Sequence, residues 1–185
     1  VEQSAGPDFG FLLIDYPGFG ECEGSTSPES IHASSQAAWE HWQELYANQQ
    51  TPQIGILGHS LGAAAALQLA ETISVERVIL LSPFTSVADM VKKMFGSWLI
   101  PLLKHRFENR GPLMQLLKRD PPPSITIIHG TRDEVIPVEM GRELAALKPE
   151  QIHYHELVHS YHNTILQDAL PVVLQELQSI RELSD

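Results

Sequence analysis

The chain has 185 residues, of which 43% are hydrophobic, enough for one globular domain with a substantial core. Its formal net charge of −11 argues against nucleic acid as a partner, because phosphate binding needs a basic surface. The single cysteine, Cys22, excludes an internal disulfide and supplies no metal motif, so a reducing, cytoplasmic setting is compatible and a small packing role is expected for it.

In chain order, "FGFLLIDY" (9–16) has the continuous apolar character of a buried strand, followed by the glycine-punctuated loop "PGFGECEGSTSP". Ser27 and Pro28 suit an N-cap and first helical residue. Ile31, Ala38, Trp42 and Leu45 continue at helical spacing, predicting a helix that covers one face of a sheet, with Trp39 and Trp42 as packing residues. Ile54, Ile56 and Leu57 predict a second strand; Leu61, Ala64, Ala65, Leu67, Leu69 and Ala70 predict the helix after it. "RVILLSPF" is a further strand. Strands without alternation, separated by helices, indicate a parallel sheet.

From 86 to 123 the pattern changes to a short helical insertion. Met90, Met94, Phe95, Trp98, Leu99, Ile100, Leu102 and Leu103 are interleaved there with basic residues. Lys92, Lys93, Lys104, Arg106, Arg110, Lys118 and Arg119 are seven of the chain's twelve cations, against Glu108 as the one acid between 92 and 119. The insertion is expected to form a lid with its apolar residues over a pocket. Its charges either face water or make a peripheral contact with an anionic lipid surface through Lys92, Lys93, Lys104 and Arg106, with Trp98 and Leu99 on the buried side. "SITIIHG", "PVEMGRELAAL" and "IHYHELV" then predict strand, helix and strand, and "TILQDALPVVLQELQSI" a helix interrupted near Pro171. No repeat or linker divides the chain, so residues 1–185 are expected to form a single domain.

The chemistry gathers at three places. "GHSLG" sets Ser60 between Gly58 and Gly62 at a strand-to-helix junction, the setting of a nucleophile elbow. There the serine backbone is strained, and a side chain at Gly58 or Gly62 is expected to crowd strand and helix. A serine hydroxyl needs a base, and the base an orienting group. Asp133 in "HGTRDEVIP" and His162 in "VHSYHNTIL" each lie just beyond a later strand, with Glu134 and His159 as their nearest competitors. His153 and His155 alternate on one strand and could with His159 and His162 hold a metal, but no cysteine accompanies them; His59 and His129 are expected to be packing or pocket-wall residues.

The pieces "LLIDYPGFGECEG", "GHSLG", "LLSPFTSVADM", "HGTRDEVIP" and "HSYHN" together resemble the α/β-hydrolase superfamily, in its order and over nearly the whole chain. They are most similar to its small serine esterases and acyl-protein (depalmitoylating) thioesterases. The resemblance implies an α/β fold, a mostly parallel sheet flanked by helices, with Ser60 as nucleophile, Asp133 as orienting acid and His162 as general base. The substrate would be a small-molecule or acyl-protein ester or thioester, and no cofactor or metal is implied. His159 stands where the family usually has the glycine of Gly-x-x-His.

The backbone N–H of Leu61 would be one oxyanion donor. The second, usually on a His-Gly loop after an earlier strand, has no counterpart here. "FGFLLIDY" resembles the family's fourth strand, so the first strands are expected to be missing and the chain to be N-terminally truncated, or its early strands to be unusual or supplied from elsewhere. On that expectation it is a weakened esterase. The rivals are an impaired fragment or binding module that retains the triad, and a serine peptidase of the same fold.

Overall fold

The computed structural model describes residues 10–47 and 53–182. Its first element is helix α1 (Pro28–Leu45), which begins as its sequence predicts: the Ser27 side chain accepts from the Ser30 backbone N–H, the Ser30 hydroxyl accepts from the Ser27 N–H, and Pro28 occupies the first turn, where its missing N–H costs nothing. Strand β1 (Gly55–His59) leads into α2 (Leu61–Thr72), and β2 (Arg77–Leu81) leads into an insertion. That insertion holds α3 (Val87–Phe95), a 3-10 segment (Ser97–Leu102) and α4 (Arg110–Leu116). Strand β3 (Ser124–Gly130), α5 (Val138–Ala145), β4 (Ile152–Leu157), the short α6 (Ile165–Asp168) and α7 (Leu170–Glu182) complete the chain. The break between α6 and α7 falls at Ala169, two residues before Pro171.

The four strands form one parallel sheet in the order β1-β2-β3-β4, each paired to the next in sequence. β2 and β3, flanked on both sides, are apolar and buried almost throughout. One core layer joins Ala63, Ala66, Leu67 and Ala70 of α2 to Val78 and Leu80 of β2, Ile125 and Ile127 of β3, and Leu113 and Leu116 of α4. On the other face Ile79, Leu81 and Ile128 meet Ile165, Ala169 and Val173. The alanine run of α2 lets that helix lie close to the sheet.

Several expectations are corrected. Residues 10–16 form no strand, and Leu13 is 90% exposed; Phe9 lies outside the described residues. A strand needs a neighbour for its backbone donors and acceptors, and none of the described residues pairs with this segment. Among the described residues β1 therefore has an open edge, and Leu57 is 41% exposed rather than buried. Helix α1 packs principally on α2 rather than on the sheet, burying Ile31 and Ser35 with Trp39 against the core, while Leu45 at its end is exposed. Trp42 stacks on Trp39. In the insertion, Val87 and Met90 pack inward, but Met94, Phe95, Trp98 and Leu102 face out.

Candidate active site

A parallel sheet brings the C-terminal ends of all its strands to one edge, and the candidate residues follow those ends. Ser60 comes directly after β1 and is the N-cap of α2, with φ 57° and ψ −117°. This left-handed conformation, unfavourable for a side-chain-bearing residue, is held by the Ser60 N–H donating to Leu81 O at 3.0 Å and Ser60 O accepting from the Ala63 N–H at 3.0 Å. Gly58 is required: a Cβ there would lie 2.2 Å from Gly62 O and 2.8 Å from Ala63 Cα. Gly62 is not, because a Cβ at that position meets nothing within 4 Å, which corrects the expectation that both glycines relieve crowding. Leu61 is the first residue of α2, so its N–H has no partner in the preceding turn and is free to donate.

Asp133 and His162 are in direct contact. His162 Nδ1 lies 2.8 Å and 3.0 Å from the two Asp133 carboxylate oxygens, so Nδ1 carries the hydrogen and donates it, leaving Nε2 as the basic nitrogen. His162 is buried and the Asp133 side chain is fully buried. The loop "RDEVI" wraps the acid: Oδ1 accepts from the Val135 N–H at 3.0 Å and the Ile136 N–H at 2.7 Å. Glu134 points elsewhere, accepting from the His162 backbone N–H at 3.2 Å. His159 is exposed, with φ 71°, and its backbone N–H donates to Thr131 Oγ1. That left-handed φ is the conformation a glycine would take most easily at this place.

Two residues beside the acid go beyond the sequence reading: His129, expected there only to pack or line a pocket wall, and Ser82, which was not read. His129, on β3, is completely buried; its Nε2 lies 2.9 Å from Ile136 O and 3.4 Å from Asp133 Oδ2, both acceptors, so Nε2 bears the hydrogen. Ser82, after β2, has φ 45° and lies beside the same carboxylate without completing a hydrogen bond. The signal available was a polar residue at the C-terminal end of each apolar strand. Burial pushes the Asp133 carboxyl up, but donors from His129, the Ile136 N–H and His162, with the Ser82 hydroxyl close by, outweigh it and hold the group well below the usual carboxylate range.

The His59 ring packs on the His162 ring, 4.7 Å between centroids. Burial and then the neighbouring His162 push His59 down, so it stays neutral beside the base. His59 is the residue before Ser60, whose Oγ makes no hydrogen bond among the described residues. Such bonds are often long before substrate binds. Among the described residues no three His, Cys, Asp or Glu side chains are grouped to hold a metal ion. Cys22 is a half-buried free thiol. A cavity of about 770 Å³ lies at the opposite end of the strands, between Ile73–Arg77 and Asp120–Pro123, away from this chemistry.

Residues 2–120 match the Alpha/beta hydrolase family, and the chain belongs to it. An uncharacterized protein of Mycobacterium tuberculosis is 31% identical over 143 residues, 77% of this chain and 49% of that protein. Protein bem46 of Schizosaccharomyces pombe is 28% identical over 130 residues, 68% of this chain and 42% of its own. The chain thus spans about half the length of the curated relatives it matches. An esterase from Pyrococcus furiosus superposes with a TM-score of 0.61 at 19% identity, covering 91% of this chain and 68% of that one, a likeness of fold.

The two glycines of the elbow are expected to respond oppositely in urea unfolding. Gly58→Ala should destabilise the fold by about 3 kcal/mol, since backbone must move, whereas Gly62→Ala should be neutral or stabilising by about 0.5–1 kcal/mol. For Asp133, the depressed folded pKa means that its contribution is fully present above an unfolded value near 3.9 and is lost as pH falls through the folded value. The stability advantage of wild type over Asp133→Asn, measured by thermal unfolding, should therefore be largest near neutral pH and shrink progressively below about pH 4.

Proposed function

We propose that this chain carries the active centre of a serine hydrolase that cleaves an ester or thioester through an acyl-enzyme. The observation that carries the reading is the pairing of His162 Nδ1 with the buried Asp133 carboxylate, which leaves Nε2 as a base on the side of the sheet where Ser60 emerges. In this reading Nε2 takes the Ser60 proton as Oγ attacks the carbonyl carbon. The carbonyl oxygen gains the negative charge, and the Leu61 N–H donates to it. The protonated His162 then gives its proton to the leaving alcohol or thiol. Water, deprotonated by the same nitrogen, attacks the acyl-Ser60 ester and releases the acid, restoring the hydroxyl. Asp133 stays ionised throughout and stabilises the imidazolium.

Family membership and the esterase among the fold neighbours support the hydrolase class. A second reading, an impaired hydrolase or binding module, is favoured by the absent Ser60–His162 hydrogen bond among the described residues.

Turnover of p-nitrophenyl esters distinguishes them. Ser60→Ala and His162→Ala should each remove about 10³-fold or more of the rate, and the double variant little beyond either, because the residues act as a unit. His159→Ala and Glu134→Gln should retain most of it. No turnover by the wild-type chain would favour the binding reading, and a larger loss in His159→Ala than in His162→Ala would reassign the base.

A further inference from the structure

The insertion between β2 and β3 leaves an apolar tip that none of the described residues covers. Helix α3 ends at Gly96, whose φ of 95° turns the chain into the 3-10 segment. A Cβ at Gly96 would sit 3.2 Å from the Trp98 ring, so glycine both makes the turn and gives the indole its place. The result is a surface on which Phe95 is 58%, Trp98 72% and Leu102 75% exposed, with Met94 beside them. The Trp98 indole N–H is already used, donating to Phe95 O at 3.0 Å, so the exposed ring presents carbon rather than a donor seeking water.

The base of this tip is held firmly. Ser86 caps α3 by accepting from the Asp89 N–H, Ser86 pairs with Glu108 across the insertion, and Lys93 bonds Glu143 of α5 at 2.7 Å. Val87 and Met90 pack in the cluster that contains Leu61, beside the nucleophile, and Ile136, beside the acid. The tip therefore stands at the catalytic end of the sheet.

Its charge is opposite to that of the molecule. From 90 to 107 the sequence has no acid, in a chain of net charge −11. Lys92, Lys104 and Arg106 are exposed and have no ion-pair partner among the described residues. Nearby acids are engaged: Asp89 with Arg110, Glu143 with Lys93 and Arg110, and Glu108 with the backbone N–H groups of Arg110 and Gly111; Glu29 lies within electrostatic reach of His105.

We propose that this tip docks on an anionic phospholipid surface, with Phe95, Trp98 and Leu102 entering the headgroup boundary and Lys92, Lys104 and Arg106 meeting lipid phosphates and carboxylates. Charge complementarity selects this occupant. In an otherwise acidic protein this segment joins three cations without ion-pair partners among the described residues to exposed apolar side chains, so the same charges that attract it to an anionic bilayer also orient it there. Docked in this way, the catalytic end of the sheet faces the lipid, and the hydrolase proposed above would receive a membrane-borne acyl ester. Docking itself does not depend on that chemistry.

The test is flotation of the chain with vesicles of phosphatidylcholine plus phosphatidylserine, compared with phosphatidylcholine alone. Wild type and Ser60→Ala should float equally with the anionic vesicles and poorly with the neutral ones. Lys92→Glu/Lys104→Glu/Arg106→Glu should lose about a hundredfold in binding or more, at roughly fivefold per cation, and Phe95→Ser/Trp98→Ser/Leu102→Ser should lose it as well. Wild-type flotation should also fall as salt rises from about 0.1 M to about 1 M, where the Debye length shortens from about 10 Å to about 3 Å; this needs no variant to fold. Absence of flotation, equal binding to both vesicle types, salt-independent binding, or well-folded triple variants that still float would each overturn the proposal. So would sedimentation showing a dimer that the apolar variant disperses without any vesicle binding, which would assign the tip to a second copy. Flotation without ester turnover would leave docking standing and remove the hydrolase reading alone.

Discussion

The site depends on one buried carboxylate. Asp133 has a fully buried side chain and stays ionised only because the fold surrounds it with donors drawn from separate elements: His129 on β3, the Val135 and Ile136 N–H groups of its own loop, and His162 beyond β4, with Ser82 after β2 beside them. A charge buried without such partners would be too costly to keep. Parallel pairing of β2, β3 and β4 is what brings these donors together, since each lies at or beyond the C-terminal end of its own strand. The imidazole of His162 is oriented as a consequence of satisfying this carboxylate.

Backbone strain gathers at the same edge. Among the described residues the non-glycine positions with positive φ are Ser60, Ser82 and His159, and all three lie where the chain leaves a strand or enters the His162 loop. Such conformations cost about 1–3 kcal/mol each and persist because surrounding hydrogen bonds determine them: Ser60 N–H to Leu81 O, Ser82 N–H to Ile128 O, and His159 N–H to Thr131 Oγ1. The two strained serines stand at the ends of neighbouring strands, Ser60 after β1 and Ser82 after β2.

Much of this was legible in the sequence. The capping pair at Ser27 and Pro28, the elbow at Ser60 and the strands β2 and β3 follow from local chemistry and continuous apolar runs, which act over a few residues. Asp133 and His162 were legible because each falls just past a strand. The segment 9–16 misled because a strand is defined by its partner: "FGFLLIDY" has the composition, but no described residue pairs with 10–16. Gly62 and Leu45 misled for a related reason, since glycine and leucine at a helical position do not reveal what, if anything, stands opposite. His129 and Ser82 are single polar residues in apolar runs, and only the superposition of neighbouring strand ends shows that both face Asp133.

The central claim is that the Asp133–His162 pair makes Ser60 a nucleophile. Treatment with a fluorophosphonate, followed by mass-spectrometric mapping, tests it most directly, because the reagent needs an activated hydroxyl and no particular substrate. The account predicts one adduct, on Ser60, formed at least about 10²-fold more slowly in His162→Ala, the range that loss of a general base removes. An adduct on another residue, none at all, or labelling of Ser60 that is unaffected by His162→Ala would contradict it.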